Sequence, residues 1–108
     1  MSDFGLTSRE VELIRGALQR HPRVMEAKIF GSRAMGRQRP NSDIDIAVWG
    51  NIDTTEVSRL HSELDELPLP YLFDVRVYDA IEYRPLREHI ERVGRVLYRA
   101  DQAPKSPT

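Results

Sequence analysis

Asp43-Ile44-Asp45-Ile46-Ala47-Val48 decides how the chain is read, because residues 43–48 alternate polar or small side chains with branched apolar ones. Period-two alternation marks a half-buried β-strand, in which successive side chains leave opposite faces. Ile44, Ile46 and Val48 are therefore expected in a core, and Asp43 and Asp45 side by side on the opposite face. Two carboxylates about 4 Å apart repel by about 4 kcal/mol at an effective dielectric near 20. A positive partner is expected there.

Upstream, Val24 to Phe30 reads as another strand, with Met25, Ala27 and Ile29 on one face and Glu26 and Lys28 on the other. Gly31 breaks it. Thr7-Ser8-Arg9-Glu10 matches a capping box, and Val11, Ile14 and Leu18 follow at helical spacing, predicting a helix over 8–21 that Pro22 stops. Downstream, Gly50-Asn51 closes the central strand. Asp53 with Glu56 is a second capping-box candidate, and the Val57, Leu60, Leu64 and Leu67 stripe predicts a helix over 54–67, ended by Pro68-Leu69-Pro70. Tyr71 to Tyr78 is read as a third strand, its Phe73, Val75 and Val77 apolar and its Asp74 opposite. Leu86, Ile90, Val93 and Leu97 form a last helical stripe, although Gly94 and the β-leaning Arg95-Val96-Leu97-Tyr98 leave its end open. The expected class is α/β (α+β), a small mixed sheet of three to four strands covered by helices, over one domain at 1–100. Residues 101–108 are polar and proline-containing, and a disordered tail is expected.

A chain of 108 residues closes one core rather than two. No stretch approaches the roughly 20 apolar residues of a membrane helix, and Met1-Ser2-Asp3-Phe4 lacks the basic and apolar regions of a secretory signal, so a cytoplasmic address is expected. Without cysteine, any metal would be held by oxygen or nitrogen donors. Net charge is -1, unevenly spread: residues 41–83 carry two Lys or Arg against ten Asp or Glu. Glu56, Glu63, Asp65 and Glu66 are accounted for as a solvated helix face. Asp43, Asp45 and Asp74 are not, and if the third strand lies beside the central one all three share a face. Mg²⁺ suits such a site, taking a few carboxylates plus water and substrate phosphates.

A phosphate-binding candidate is Phe30-Gly31-Ser32-Arg33, where a strand runs into a turn. Glycine lets the backbone approach, exposed amides and the Ser32 hydroxyl can donate, and Arg33, Arg37 and Arg39 add positive charge. A Gly-Ser pair by itself is usually a plain turn, and an Asp-x-Asp pair usually a solvated strand face. Their conjunction at this spacing, with a third Asp on a later strand, is specific. Arg76 shares the face of Asp74, where it could orient that residue, neutralise phosphate or form a cross-strand ion pair. His21, His61 and His89 make no ligand pair and are read as solvated, and Trp49 as packed under the second helix or stacked on a base.

Phe30-Gly31-Ser32-Arg33-Ala34-Met35-Gly36-Arg37, continuing through Pro40-Asn41-Ser42-Asp43-Ile44-Asp45-Ile46-Ala47-Val48, closely resembles the polymerase-β-like nucleotidyltransferase superfamily, and most of all its minimal nucleotidyltransferases, the MNT proteins. The likeness spans about residues 10–100. It implies that Gly31, Ser32, Arg33 and Ser42 bind the nucleotide, that Asp43 and Asp45 ligate metal, and that Asp74 completes the metal site at the attacking oxygen. It implies Mg²⁺, two ions with nucleotide bound, and in-line transfer of AMP from ATP. MNT proteins often partner HEPN-domain ribonuclease toxins, so the resemblance suggests an antitoxin that adenylylates a HEPN partner. A near-neutral charge argues against a nucleic-acid acceptor. The alternative is a non-catalytic subunit that neutralises its partner by contact. A glycosyltransferase reading of Asp-x-Asp meets too short a chain.

Overall fold

The computed structural model describes residues 4–39 and 42–100, so the tail expected at 101–108 lies outside the described residues. Helix α1 (Ser8–Gln19) opens on the expected capping box, Thr7 accepting from the Glu10 amide and Glu10 from that of Thr7. Val11, Ile14, Ala17 and Leu18 are buried along one stripe. Strand β1 (Val24–Phe30) leads into a one-turn helix (Gly31–Arg33), followed by β2 (Ile44–Gly50), α2 (Thr54–Asp65), β3 (Phe73–Val77), a second short turn (Tyr78–Ala80), α3 (Arg84–Val93) and β4 (Arg95–Arg99). Asp53 caps α2 by accepting from the Glu56 amide. No helix among the described residues is long and apolar enough to cross a membrane.

The four strands form one mixed sheet in the order β3-β2-β1-β4. β1 is antiparallel to β2 and β4, whereas β2 and β3, joined through α2, run parallel. One face carries Ala27, Ile29, Ile44, Ile46, Val48, Phe73 and Leu97 into the main core beneath α1 and α2. The other gathers Phe30, Ala47, Tyr78, Ile81 and Ile90, with Trp49 and Leu86 alongside, beneath α3. The alternation read from β2 is thus realised, with the Asp face roofed in part by a helix.

Three details depart from the expectations. The β1 register shifts between Val24 and Glu26, and this bulge turns Met25 out to 56% exposure instead of inward with Ala27 and Ile29. Trp49 packs beneath α3 rather than α2, stacked on Tyr78 at 4.8 Å between ring centroids. The last helical stripe ends at Val93, and Leu97 reaches the core from β4. The break falls at Gly94, which extends (φ -60°, ψ 138°) and donates its amide to the Ile90 carbonyl at 2.8 Å, an approach that leaves no room for a Cβ.

A methyl group at Gly94 would collide with backbone, which cannot rotate away as a side chain can. G94A is expected to lower the unfolding free energy by about 1–3 kcal/mol, the usual cost of overpacking, measured by urea denaturation at an unchanged slope.

Candidate active site

The row across the sheet that holds the acidic residues is set by strand register. Phe30 of β1 pairs with Asp45 of β2, and Asp45 pairs with Asp74 of β3. Register partners in neighbouring strands project to the same face, so Asp45 and Asp74 stand next to each other on the α3 side of the sheet. Asp43 lies two residues before Asp45, exposed, just ahead of β2. Register thus brings Asp45 and Asp74 onto one face, and the charge of Asp43 also acts on Asp45.

The electrostatic consequence is visible at Asp45. Burial first, then the negative charges of Asp74 and Asp43, push its carboxyl above the ordinary value of 3.8, while Arg76 and His89 act the other way. Such a carboxyl favours either a proton or a cation. Gly31 supplies a second constraint: its φ of 73° belongs to the left-handed region, and a Cβ there would run into Oδ2 of Asp45. The missing side chain lets the carboxylate lie directly against the turn that follows β1. This donor set, three carboxylates whose mutual repulsion a positive ion would relieve, fits a hard divalent cation such as Mg²⁺. As they stand, however, no three acidic or imidazole side chains among the described residues enclose an ion. Asp74 is instead paired with Arg76, Nε to Oδ2 at 3.1 Å, so the arginine bonds within its own strand rather than across strands.

The nucleotide-binding candidates fall into two groups. Gly31 and Ser32 form the half-buried turn beside Asp45, and the Ser32 carbonyl accepts from the Arg37 amide at 2.8 Å. Arg33 departs from the expectation that its charge faces phosphate. Only 1% exposed, it donates from Nε and Nη2 to the Ser42 carbonyl at 3.2 and 2.9 Å and from Nη1 to the Phe4 carbonyl at 2.9 Å. Its guanidinium also lies over the Tyr71 ring at 4.7 Å. Ser42 is engaged as well, its hydroxyl accepting from the Arg39 amide at 2.7 Å. Arg37 and Arg39 are exposed.

The histidines are less free than a solvated reading implies. His61 Nε2 is hydrogen-bonded to the Phe73 carbonyl at 2.7 Å, His21 Nε2 lies 3.1 Å from Glu63, and half-buried His89 stands edge-on to Phe30 at 6.2 Å between centroids. His89 is close enough to the acidic row to favour the charged form of Asp45. Its position was legible: 86, 89, 90 and 93 are one helical stripe, and three of those residues are apolar. Tyr71, the aromatic lid on Arg33, carried no such signal.

Comparison with known proteins agrees with this geometry. The model of the family described as Polymerase beta, Nucleotidyltransferase matches residues 12–103. No curated protein matches the sequence. Among solved structures, a chain of a toxin–antitoxin structure with AMP-PNP superposes with a TM-score of 0.70 at 26% identity, covering 85% of this chain and 75% of that one. A chain of the toxin–antitoxin MntA-HepT gives 0.67 at 22% identity, with coverages of 89% and 75%. A chain from the complex of tri-AMPylated Shewanella oneidensis HEPN toxin with MNT antitoxin gives 0.66 at 22% identity, with coverages of 87% and 73%. At that identity the last two speak for the fold alone. The match over most of the chain, on a sheet that sets Asp45 and Asp74 beside the Gly31 turn, places this protein in the polymerase beta nucleotidyltransferase family, with the minimal fold of its MNT members.

Proposed function

We propose that the chain transfers AMP from ATP to a hydroxyl group of a HEPN-type protein partner. The observation that carries this reading is the pairing of Asp45 with Asp74 in register beside a turn that only glycine can open. Gly31 and Ser32 cradle the triphosphate through backbone amides and the serine hydroxyl. Asp43, Asp45 and Asp74 are the residues that would hold Mg²⁺, which when bound offsets the charge of carboxylates and phosphates. The acceptor oxygen bonds to the α-phosphorus as the bond from that phosphorus to the β-phosphate oxygen breaks. Pyrophosphate leaves, AMP stays on the acceptor, and the hydroxyl proton passes to the Asp74 carboxylate. Positioning does most of the work. A protein acceptor is supported by three of the structural neighbours, which come from toxin–antitoxin structures, one of them with a tri-AMPylated HEPN toxin.

A second reading has one observation in its favour. Arg76 already neutralises Asp74, as it would in a subunit that silences its partner by contact alone. Incubating the chain with labelled ATP, Mg²⁺ and the protein encoded beside it separates the two. Transfer predicts a mass gain of one or more AMP units on that partner, reduced by D43A/D45A to the level of a reaction without the chain. A tight complex with no label would establish the contact reading, and label confined to RNA would refute a protein acceptor.

Removing charge from the row should also separate stability from function. Because the carboxyl of Asp45 is held above 3.8 in the folded chain, the native state binds that proton more tightly than the unfolded one. Ionised Asp45 therefore costs stability, a cost that grows as pH rises from 3.8 through the raised value and is complete at neutral pH. In EDTA at pH 7, D45N is expected to melt above wild type, by about 4–8 °C for each kcal/mol relieved, with the gap closing in acid. Equal melting temperatures at both pH values would mean that the carboxylates do not strain the fold.

A further inference from the structure

Arg33 is the one charged residue that the described fold buries completely, and no carboxylate among the described residues lies in ion-pair contact with it. Burying a guanidinium is costly, and a well-packed apolar side chain of similar size commonly serves stability as well or better. Its place in a buried site calls for a reason other than packing. The contacts supply one. Arg33 belongs to the one-turn helix that begins at Gly31, the residue against which Asp45 rests. Its Nε and Nη2 grip the carbonyl of Ser42, one residue before Asp43, and its planar face lies over Tyr71, three residues before Asp74. One side chain thus touches, or belongs to, the segment next to each of the three aspartates.

The hub is itself anchored on the far side. Nη1 donates to the carbonyl of Phe4, a buried residue held at a φ of 59°, uncommon for an aromatic residue, with Arg95 of β4 over its ring at 4.8 Å. The Tyr71 hydroxyl donates to Glu10 at 3.0 Å, and Glu10 closes the capping box of α1. These contacts run from the N-terminal segment through Arg33 to the approach of each acidic residue, and they engage all three guanidinium nitrogens.

We propose that Arg33 is a positioning residue that sets the spacing of Asp43, Asp45 and Asp74 for cation binding, and not a ligand of the nucleotide. The proposal rests on the reading of the three aspartates as a cation site. The planar fork is the part that matters, since lysine keeps the charge but cannot bond two carbonyls from three nitrogens.

The test is calorimetric titration of Mn²⁺ into the chain without nucleotide, for wild type and R33K, with circular dichroism melts alongside. Groups that orient metal ligands typically govern affinity by about ten- to hundredfold, and a loss in that range is expected for R33K. A contact with phosphate predicts the reverse: Mn²⁺ affinity unchanged, and ATP affinity largely kept by lysine but lost in R33M. Unchanged Mn²⁺ binding by a folded R33K overturns the proposal. If R33K does not fold, Y71L decides, since it strips the lid from Arg33 and leaves the hydrogen bonds: weakened Mn²⁺ binding supports the proposal and wild-type affinity refutes it. Failure of wild type itself to bind Mn²⁺ removes the cation-site reading, and this proposal with it.

Discussion

Two carboxylates held in register on neighbouring strands repel each other, and the rest of the structure can be understood as what makes that arrangement tolerable. Left to themselves, Asp45 and Asp74 would favour a slip of β3 against β2. A slip of one residue would also turn Phe73, Val75 and Val77 away from the core, and the hydrophobic loss from those side chains exceeds the about 4 kcal/mol that two half-solvated charges can exert. The apolar face of the sheet therefore sets the register, and the acidic face follows from it. Stability built on one side of the strands is used to hold unfavourable electrostatics on the other.

The same logic separates what could be read from the sequence from what could not. β2 was legible because both of its faces have a physical signature, apolar into the main core and acidic outward, and α1 and α2 because capping residues precede apolar stripes of helical period. The acidic row was legible in part. Alternation puts Asp43 and Asp45 on one face, but whether Asp74 joins them depends on which strand neighbours β2, a property of the assembled sheet that no local pattern contains. Leu97 misled for a related reason. It keeps the helical spacing of Leu86, Ile90 and Val93 yet reaches the core from a strand, because the helix ends at Gly94, where a Cβ would meet the Ile90 carbonyl. Met25 was misread because a bulge shifts the period within its strand.

Arg33 shows the limit of residue type as a guide to role. An arginine directly after Gly-Ser invites a phosphate-binding reading, since charge and position both suit it. What decides is the direction of the side chain, and here the nearest unsatisfied acceptors are carbonyls inside the fold, at Ser42 and Phe4. A guanidinium can satisfy several carbonyls at fixed angles, and its flat face can lie against an aromatic ring, as over Tyr71.

The acidic excess between residues 41 and 83 takes on a different meaning once the chain is folded. Glu56 and Glu63 meet Arg23, Arg20 and His21 across the gap between α2 and the α1–β1 connection, and Asp65 lies near His61. Exposed pairs of this kind contribute little to stability. They do, however, offset the charge of Glu56 and Glu63 on the α2 side of the sheet. The carboxylates of the acidic row have a different set of partners. Asp45 is burdened by its acidic neighbours, and Asp74 is matched only by Arg76. The negative charges of Asp43 and Asp45 are thereby left beside the Gly31 turn, where an approaching cation gains most.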